Sequence, residues 1–364
     1  MKIAEITSYI ESIAPLQYQE TYDNAGLITG NHSTDVNGIL ICLDSTEEVL
    51  DEAIAKNCNL IIAHHPIIFG GLKKLNGKNY VERVIIKAIK NEIAIYCAHT
   101  NLDNVITGVN FKIAEKLGLL NCNILSPKTG LLRKLVTFCP VEYAEKVREA
   151  LFNAGAGNIG NYDECSFNSE GFGTFRASDS ANPFVGDKNI THREKEVKIE
   201  TIYPSIFENK ILAALHKEHP YEEVAYDVFS LKNNYNLVGS GMIGELPDEQ
   251  NTHDFLLQLK KKLSTDCIRH TAIHKEKVKK IAVCGGAGSF LLNDAIAAGA
   301  DVFITSDFKY HQFFDAENRI VIADVGHYES EQFTKELFLD LIKKKFPTFA
   351  ALLSAVNTNP INYI

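Results

Sequence analysis

One pattern occurs twice in this chain, and it restricts the fold more than any other feature. Cys42…Leu50-Asp51-Glu52-Ala53-Ile54-Ala55…Asn59-Leu60-Ile61-Ile62 corresponds to Cys284…Leu292-Asn293-Asp294-Ala295-Ile296-Ala297…Asp301-Val302-Phe303-Ile304, always 242 positions later. Each copy reads as an apolar run, an Ala/Ile/Leu helix and a second apolar run. Short runs with no polar alternation are buried on both faces, which in strand–helix–strand order means a parallel sheet covered by helices. A second correspondence follows at an offset of 228, where Tyr96-Cys97-Ala98-His99 matches Asp324-Val325-Gly326-His327. Four residues beyond each histidine stands a carboxylate, Asp103 in one half and Glu331 in the other. The expected fold is α/β: a duplicated outer domain with mostly parallel sheets.

A stretch of different character separates the halves. Lys134 to Phe138 reads as a strand and Val141 to Phe152 as an amphipathic helix. After glycines 155, 157 and 160 come two strand-like pieces near 162–167 and 171–176, then a Pro/Asn/Gly/Asp loop. Glu196 to Tyr203 alternates as a half-buried strand does, Ser205 to Lys217 reads as a helix, and Val224 to Leu231 as a last strand. The order βαββαβ predicts an inserted ferredoxin-like α+β domain over 130–239, with the outer domain formed from 1–129 and 240–364.

In open α/β sheets the ligand site lies beyond the carboxyl ends of the strands, and this chain repeatedly ends its apolar runs in metal-binding side chains. Leu60-Ile61-Ile62-Ala63 stops at His64-His65-Pro66. Neighbouring side chains on a strand point to opposite faces, and proline cannot donate to a ladder. Both imidazoles are therefore free to turn toward one pocket; read alone, they are equally a pair of loop histidines bonded to backbone or water. Ile93 to Ala98 leaves into His99-Thr100-Asn101-Leu102-Asp103, where Asp103 is a ligand or an Asx turn or cap. Ile320 to Asp324 leaves into His327-x-x-x-Glu331, which puts imidazole and carboxylate one helical turn apart, or makes a surface pair. Together His64, His65, Asp103, His327 and Glu331 give three imidazoles and two carboxylates. That set suits zinc first, with iron or manganese also accepted. Five ligands exceed one open tetrahedral site and fit two divalent ions bridged by Asp103 or Glu331.

Other polar residues near these ends carry weaker signals. His99 is a general acid/base, a group behind a ligand, or a core residue. Asp44 either orients a ligand histidine from behind or caps the helix that Ser45-Thr46-Glu47-Glu48 begins. Asp307, Lys309 and His311 lie within reach of a substrate. Gly285-Gly286-Ala287-Gly288-Ser289 is a phosphate-cradling turn or a plain tight one, and matches neither GxGxxG nor a P-loop. No nucleophile elbow or Ser-His-Asp arrangement stands out.

A net charge of −9 argues against a nucleic-acid surface. No apolar stretch approaches the roughly 20 residues of a spanning helix, and the start resembles no signal peptide. Eight scattered cysteines without a CxxC read as reduced thiols packed as small hydrophobes. A cytoplasmic location is expected.

Asp23-Asn24-Ala25-Gly26-Leu27, Ala63-His64-His65-Pro66, His99-Thr100-Asn101-Leu102-Asp103, Gly285-Gly286-Ala287-Gly288 and His327-Tyr328-Glu329-Ser330-Glu331, in this order, resemble the Ngg-interacting-factor-three-like family. It is also called the GTP cyclohydrolase 1 type 2 family. The middle segment, with His219-Pro220-Tyr221-Glu222-Glu223, resembles that of longer bacterial members, whose inserted domain is like the PII and CutA folds. Ala25 departs from the valine frequent there. The resemblance implies a dinuclear metal site on His64, His65, Asp103, His327 and Glu331, and a ring-shaped homohexamer with these sites facing an internal cavity. It also implies a metal-dependent hydrolase of a nucleotide-like substrate, with water attacking guanine C8 and His99 as proton carrier. The alternative is a non-enzymatic hexameric scaffold or sensor regulated through the inserted domain.

Overall fold

The computed structural model describes residues 1–364 and divides into two compact units: Met1–Pro127 with Asn236–Ile364, and Lys128–Tyr235. Along the first segment run α1 (Ile3–Ile13), β1 (Gly26–Thr29), β2 (Ile39–Cys42), α2 (Glu47–Ala55), β3 (Leu60–Ala63), α3 (Tyr80–Lys90), β4 (Ala94–Cys97), α4 (Thr100–Asp103), α5 (Val109–Leu117) and β5 (Leu120–Thr129). Strands β2, β3 and β4 are buried at every position and pair in parallel, Cys42 beside Ala63 and Ala63 beside Cys97. The connecting helices start on side-chain caps, Thr46 accepting from the Val49 amide at 3.3 Å and Asn79 from that of Glu82 at 2.9 Å. Both helices bury one apolar stripe against Leu40, Ile61 and Ile95.

The second unit holds β6 (Leu132–Pro140), α6 (Ala144–Asn153), β7 (Ser166–Arg176), β8 (Thr191–Pro204), α7 (Glu208–Glu218) and β9 (Tyr226–Leu231). Its sheet has the order β7-β8-β6-β9, with every neighbouring pair antiparallel. Leu135, Val197, Ile199 and Tyr203 on one face pack with Val147, Leu151, Ile211 and Leu215 of the two helices. The expected pieces at 162–167 and 171–176 are instead one strand. Its glycines do not break it, because β8 pairs with it continuously from Ser166 to Arg176.

The chain returns to the first unit with β10 (Asn234–Asn251), α8 (Thr252–Lys262), β11 (Arg269–His270), β12 (Lys277–Ala287), α9 (Leu292–Ala297), β13 (Val302–Ser306), β14 (Val321–Asp324), α10 (His327–Glu331), α11 (Thr334–Lys345) and β15 (Ala351–Leu353). Its two sheets have the orders β1-β4-β3-β2-β15 and β11-β14-β13-β12-β10-β5. In the second, β12, β13 and β14 run parallel, as β2, β3 and β4 do in the first. Antiparallel β1, β10 and β11 extend the sheets.

Strand pairing corrects the second sequence offset. Ala63 faces Cys97 and Thr305 faces Asp324, so β4 and β14 correspond at 227 rather than 228. His99 and Gly326 both immediately precede their helices, and His327 is already helical. Gly326, at φ +95°, takes up the extra residue. No helix is long and apolar enough to cross a membrane. All eight cysteines are free, five of them buried.

Candidate metal centre

Four histidines reach this site from the ends of buried strands, and each is held from behind through Nδ1. His64 Nδ1 lies 2.9 Å from the Ala98 carbonyl, His65 Nδ1 2.7 Å from Asp44, His99 Nδ1 2.8 Å from Asp23, and His327 Nδ1 2.7 Å from Asp307. A carbonyl or carboxylate at Nδ1 fixes the proton there and leaves Nε2 to face forward. Asp44 thus stands behind a ligand candidate, while Thr46 caps the following helix.

The forward atoms converge on two carboxylates. Glu331 Oε2 is 2.9 Å from His65 Nε2 and 3.1 Å from His327 Nε2, and its Oε1 is 3.8 Å from His64 Nε2. Asp103 Oδ1 is 3.5 Å from the same His64 nitrogen. Three overlapping groups bring their ligand atoms within 4.8 Å: His65, His327 and Glu331; His64, Asp103 and Glu331; and His64, His65 and His99. All five expected ligands therefore meet. His99, expected as a proton carrier, also lies close enough to join them.

One detail tests whether the residues suit a cation. His64 Nε2 and Asp103 Oδ1 are buried with no hydrogen-bond partner. With its proton fixed on Nδ1 by Ala98, His64 turns a lone pair toward two carboxylates. Such an arrangement is repulsive by itself and costly to bury. A cation among the three groups removes the conflict, and the donor set is one that divalent ions accept.

The protonation equilibria express the same unmet demand. Burial opposes charging His65, but bonds to Asp44 and Glu331 outweigh it and lift the imidazole to about 10. Burial likewise opposes charging His327, yet Glu331 and Asp307 bring it to about 11. Burial, then the charge of Glu331, pushes Asp103 up to about 7. Glu331 goes the other way: desolvation opposes its anion, but the charge and bond of His327 and the bond of His65 overcome it and hold it well below the carboxylate range.

The early turn at 23–27 has a defined task that its sequence alone did not reveal. Asp23 holds His99 through one oxygen and the Thr100 amide, at 2.9 Å, and hydroxyl through the other. Burial disfavours the Asp23 anion, but these bonds outweigh it and keep the carboxyl at about 2. Only the pairing of Asp23 with a histidine 76 positions away could have indicated this.

The glycine segment does not present free amides at Gly285 and Gly286. The Gly285 amide donates to Asn110 at 3.0 Å and the Gly286 amide to Ser330 at 3.0 Å. Gly286, at φ +61°, has Glu331 where a Cβ would stand. Its small size admits the carboxylate, so the phosphate-cradle reading gives way to close approach at this position. The site opens into a cavity of about 320 Å³ lined by His65, His99, Asp103, His327 and Glu331, with Tyr22, Phe69 and Phe290 exposed at its edge. Lys309 and His311 do not line it, whereas Asp307 acts through His327.

The family model described as Duf34/NIF3 (NGG1p interacting factor 3) matches residues 1–360. A Bacillus subtilis protein named GTP cyclohydrolase 1 type 2 homolog is 39% identical over 366 residues, covering 99% of this chain and 98% of that protein. A Halalkalibacterium halodurans protein of the same name is 40% identical, with 100% of both chains covered. Among solved structures, a Bacillus cereus protein related to NIF3 superposes with a TM-score of 0.86 at 40% identity, over 100% of this chain and 99% of that one. A Staphylococcus aureus protein gives 0.80 at 30% identity, again over 100% and 99%.

Proposed function

Since the chain belongs to the Duf34/NIF3 family, we propose that its strand-end site holds two divalent cations and hydrolyses a nucleotide-like ring, the reaction its relatives' name points to. The observation that carries the reading is the buried His64 Nε2, without a donor and facing Asp103 and Glu331. One ion would be held by His65, His327 and Glu331 and the other by His64, Asp103 and Glu331, with Glu331 serving both. Zinc is the first candidate, and iron and manganese suit the same donors. Bound there, the ions would supply Lewis acidity and acidify water.

The chain's own residues account for the rest of the chemistry. Asp23 keeps the proton of His99 on Nδ1, so Nε2 is the atom that takes a proton from water or returns one to the leaving nitrogen. Tyr22, Phe69 and Phe290 offer flat apolar surface to a heterocycle entering the cavity. Asp44 and Asp307 keep His65 and His327 in place. We assign the inserted unit to the ferredoxin-like fold on its strand order and two-helix cover. A ring-shaped homohexamer in the cytoplasm completes the proposal.

The test is formate release from GTP by protein loaded with zinc, iron or manganese, beside His99→Gln. Turnover that falls about 100-fold in the variant, with metal content unchanged, supports hydrolysis with His99 as proton carrier. Fully loaded protein that opens no ring in GTP, GDP or guanosine would transfer support to the scaffold reading.

A further inference from the structure

The inserted unit has a second cavity, unrelated to the metal centre. Helices α6 and α7 cover one face of its sheet. The other face carries a hollow of about 640 Å³, a size that accommodates a small organic ligand. Its walls are aromatic: Phe138 on β6, Phe175 on β7, Phe184 in the following loop, and Tyr221 after α7. The floor is opened by Gly171 and Gly173. A Cβ on Gly171 would meet nothing within 4 Å, and one on Gly173 would occupy the place of the Glu196 carboxylate.

Glu196 is the unusual member. It lies directly opposite Gly171 in the ladder and is only 8% exposed, yet no basic side chain pairs with it. The nearby cations are engaged elsewhere: Lys195 with Glu170 at 2.7 Å, Lys198 with Glu200 at 3.4 Å, and Arg193 over the Phe172 ring at 4.0 Å. The hydroxyl of Tyr221 donates to Glu196 Oε1 at 2.8 Å, and the Oε2 atom stands over Gly173 without a donor. With one oxygen held by Tyr221 and the other open to the cavity, this largely buried carboxylate is a ready acceptor for a donor that enters there. The surroundings are built to hold it there. His219 accepts the Tyr221 amide at 3.2 Å and donates to the Phe138 carbonyl at 2.8 Å, while Glu222 accepts the Asn182 amide at 2.8 Å and ties down the loop bearing Phe184.

We propose that this cavity binds a small organic cation: a primary or secondary amine whose N–H donates to Glu196 and whose flat apolar body lies against Phe138, Phe175 and Tyr221. Ring faces attract cations, the carboxylate supplies the directional bond, and together they reject anions.

The test uses the full chain and three probes of nearly one shape: tryptamine, its uncharged analogue tryptophol, and the anion indole-3-propionate. Saturation-transfer NMR and titration should show tryptamine binding at least tenfold more tightly than tryptophol, with no binding of the anion. In Glu196→Gln, where the glutamine oxygen still accepts from Tyr221, tryptamine should fall to the level of tryptophol while metal content and melting temperature stay unchanged. Equal binding of tryptamine and tryptophol, or equal tryptamine binding by wild type and variant, would overturn the proposal. So would absence of binding combined with a change of oligomeric state in Phe175→Ser, which would make this face a contact between copies of the chain.

Discussion

At the scale of the residue, the candidate site rests on what stands behind each ligand. Glu331 reaches its position because Gly286 leaves room for it and adopts φ +61°. Gly286→Ala should therefore displace the carboxylate and weaken metal binding about 10–100-fold, as loss of a supporting group typically does. A chelator competition titration checks this; wild-type affinity would show that the close approach has no role. Protonation gives a second prediction. His65 and His327, raised to about 10 and about 11, carry protons at neutral pH in the metal-free site. Metal uptake must displace those protons, so affinity should rise with pH across the neutral range, and the heat of binding should depend on the ionisation enthalpy of the buffer. Identical heats in phosphate and Tris would rule that out. The residues that meet at the candidate site were legible in sequence because strand ends concentrate them. Asp23 was not, since its role depends on a spatial partner at His99.

Elements fix which groups can meet. Parallel pairing of β3 with β4, and of β13 with β14, puts the strand ends of each sheet side by side, which the apolar runs already indicated. The register offset of 227 was hidden, because one residue inserted at Gly326 leaves the local pattern of histidine and carboxylate intact. The single strand β7 was also hidden, since glycine weakens strand propensity and only pairing with β8 restores it. In the inserted unit His219 makes a pH prediction. Burial, the largest effect, lowers its pKa below 6.5, against the bond to the Phe138 carbonyl. With the folded value depressed, its contribution to stability is complete above pH 6.5 and is lost as pH falls through the folded pKa. Thermal unfolding of the full chain from pH 7.5 to 5 should show a decline that His219→Gln reduces. An unchanged slope in the variant would assign the decline to other groups.

Across the whole molecule, the last residues complete a site begun near residue 44. β15 adds to the first sheet beside β2, and beyond it Thr358 donates to Asp44 at 2.6 Å, the carboxylate that holds His65. Nothing in the apolar pattern of the C-terminal half announces this return, because a three-residue edge strand carries little periodic signal. Thr358→Val should lower metal affinity several-fold without altering the strands. Unchanged affinity would mean that Asp44 is positioned without it. On this proposal, residues from both sheets of the first unit form one two-ion site. Its most direct test is elemental analysis of protein purified without chelator, wild type beside Asp103→Ala. Two divalent ions per chain in the wild type, with at least one lost in the variant, is the predicted result. A metal-free wild type, or a variant retaining both ions, would contradict it.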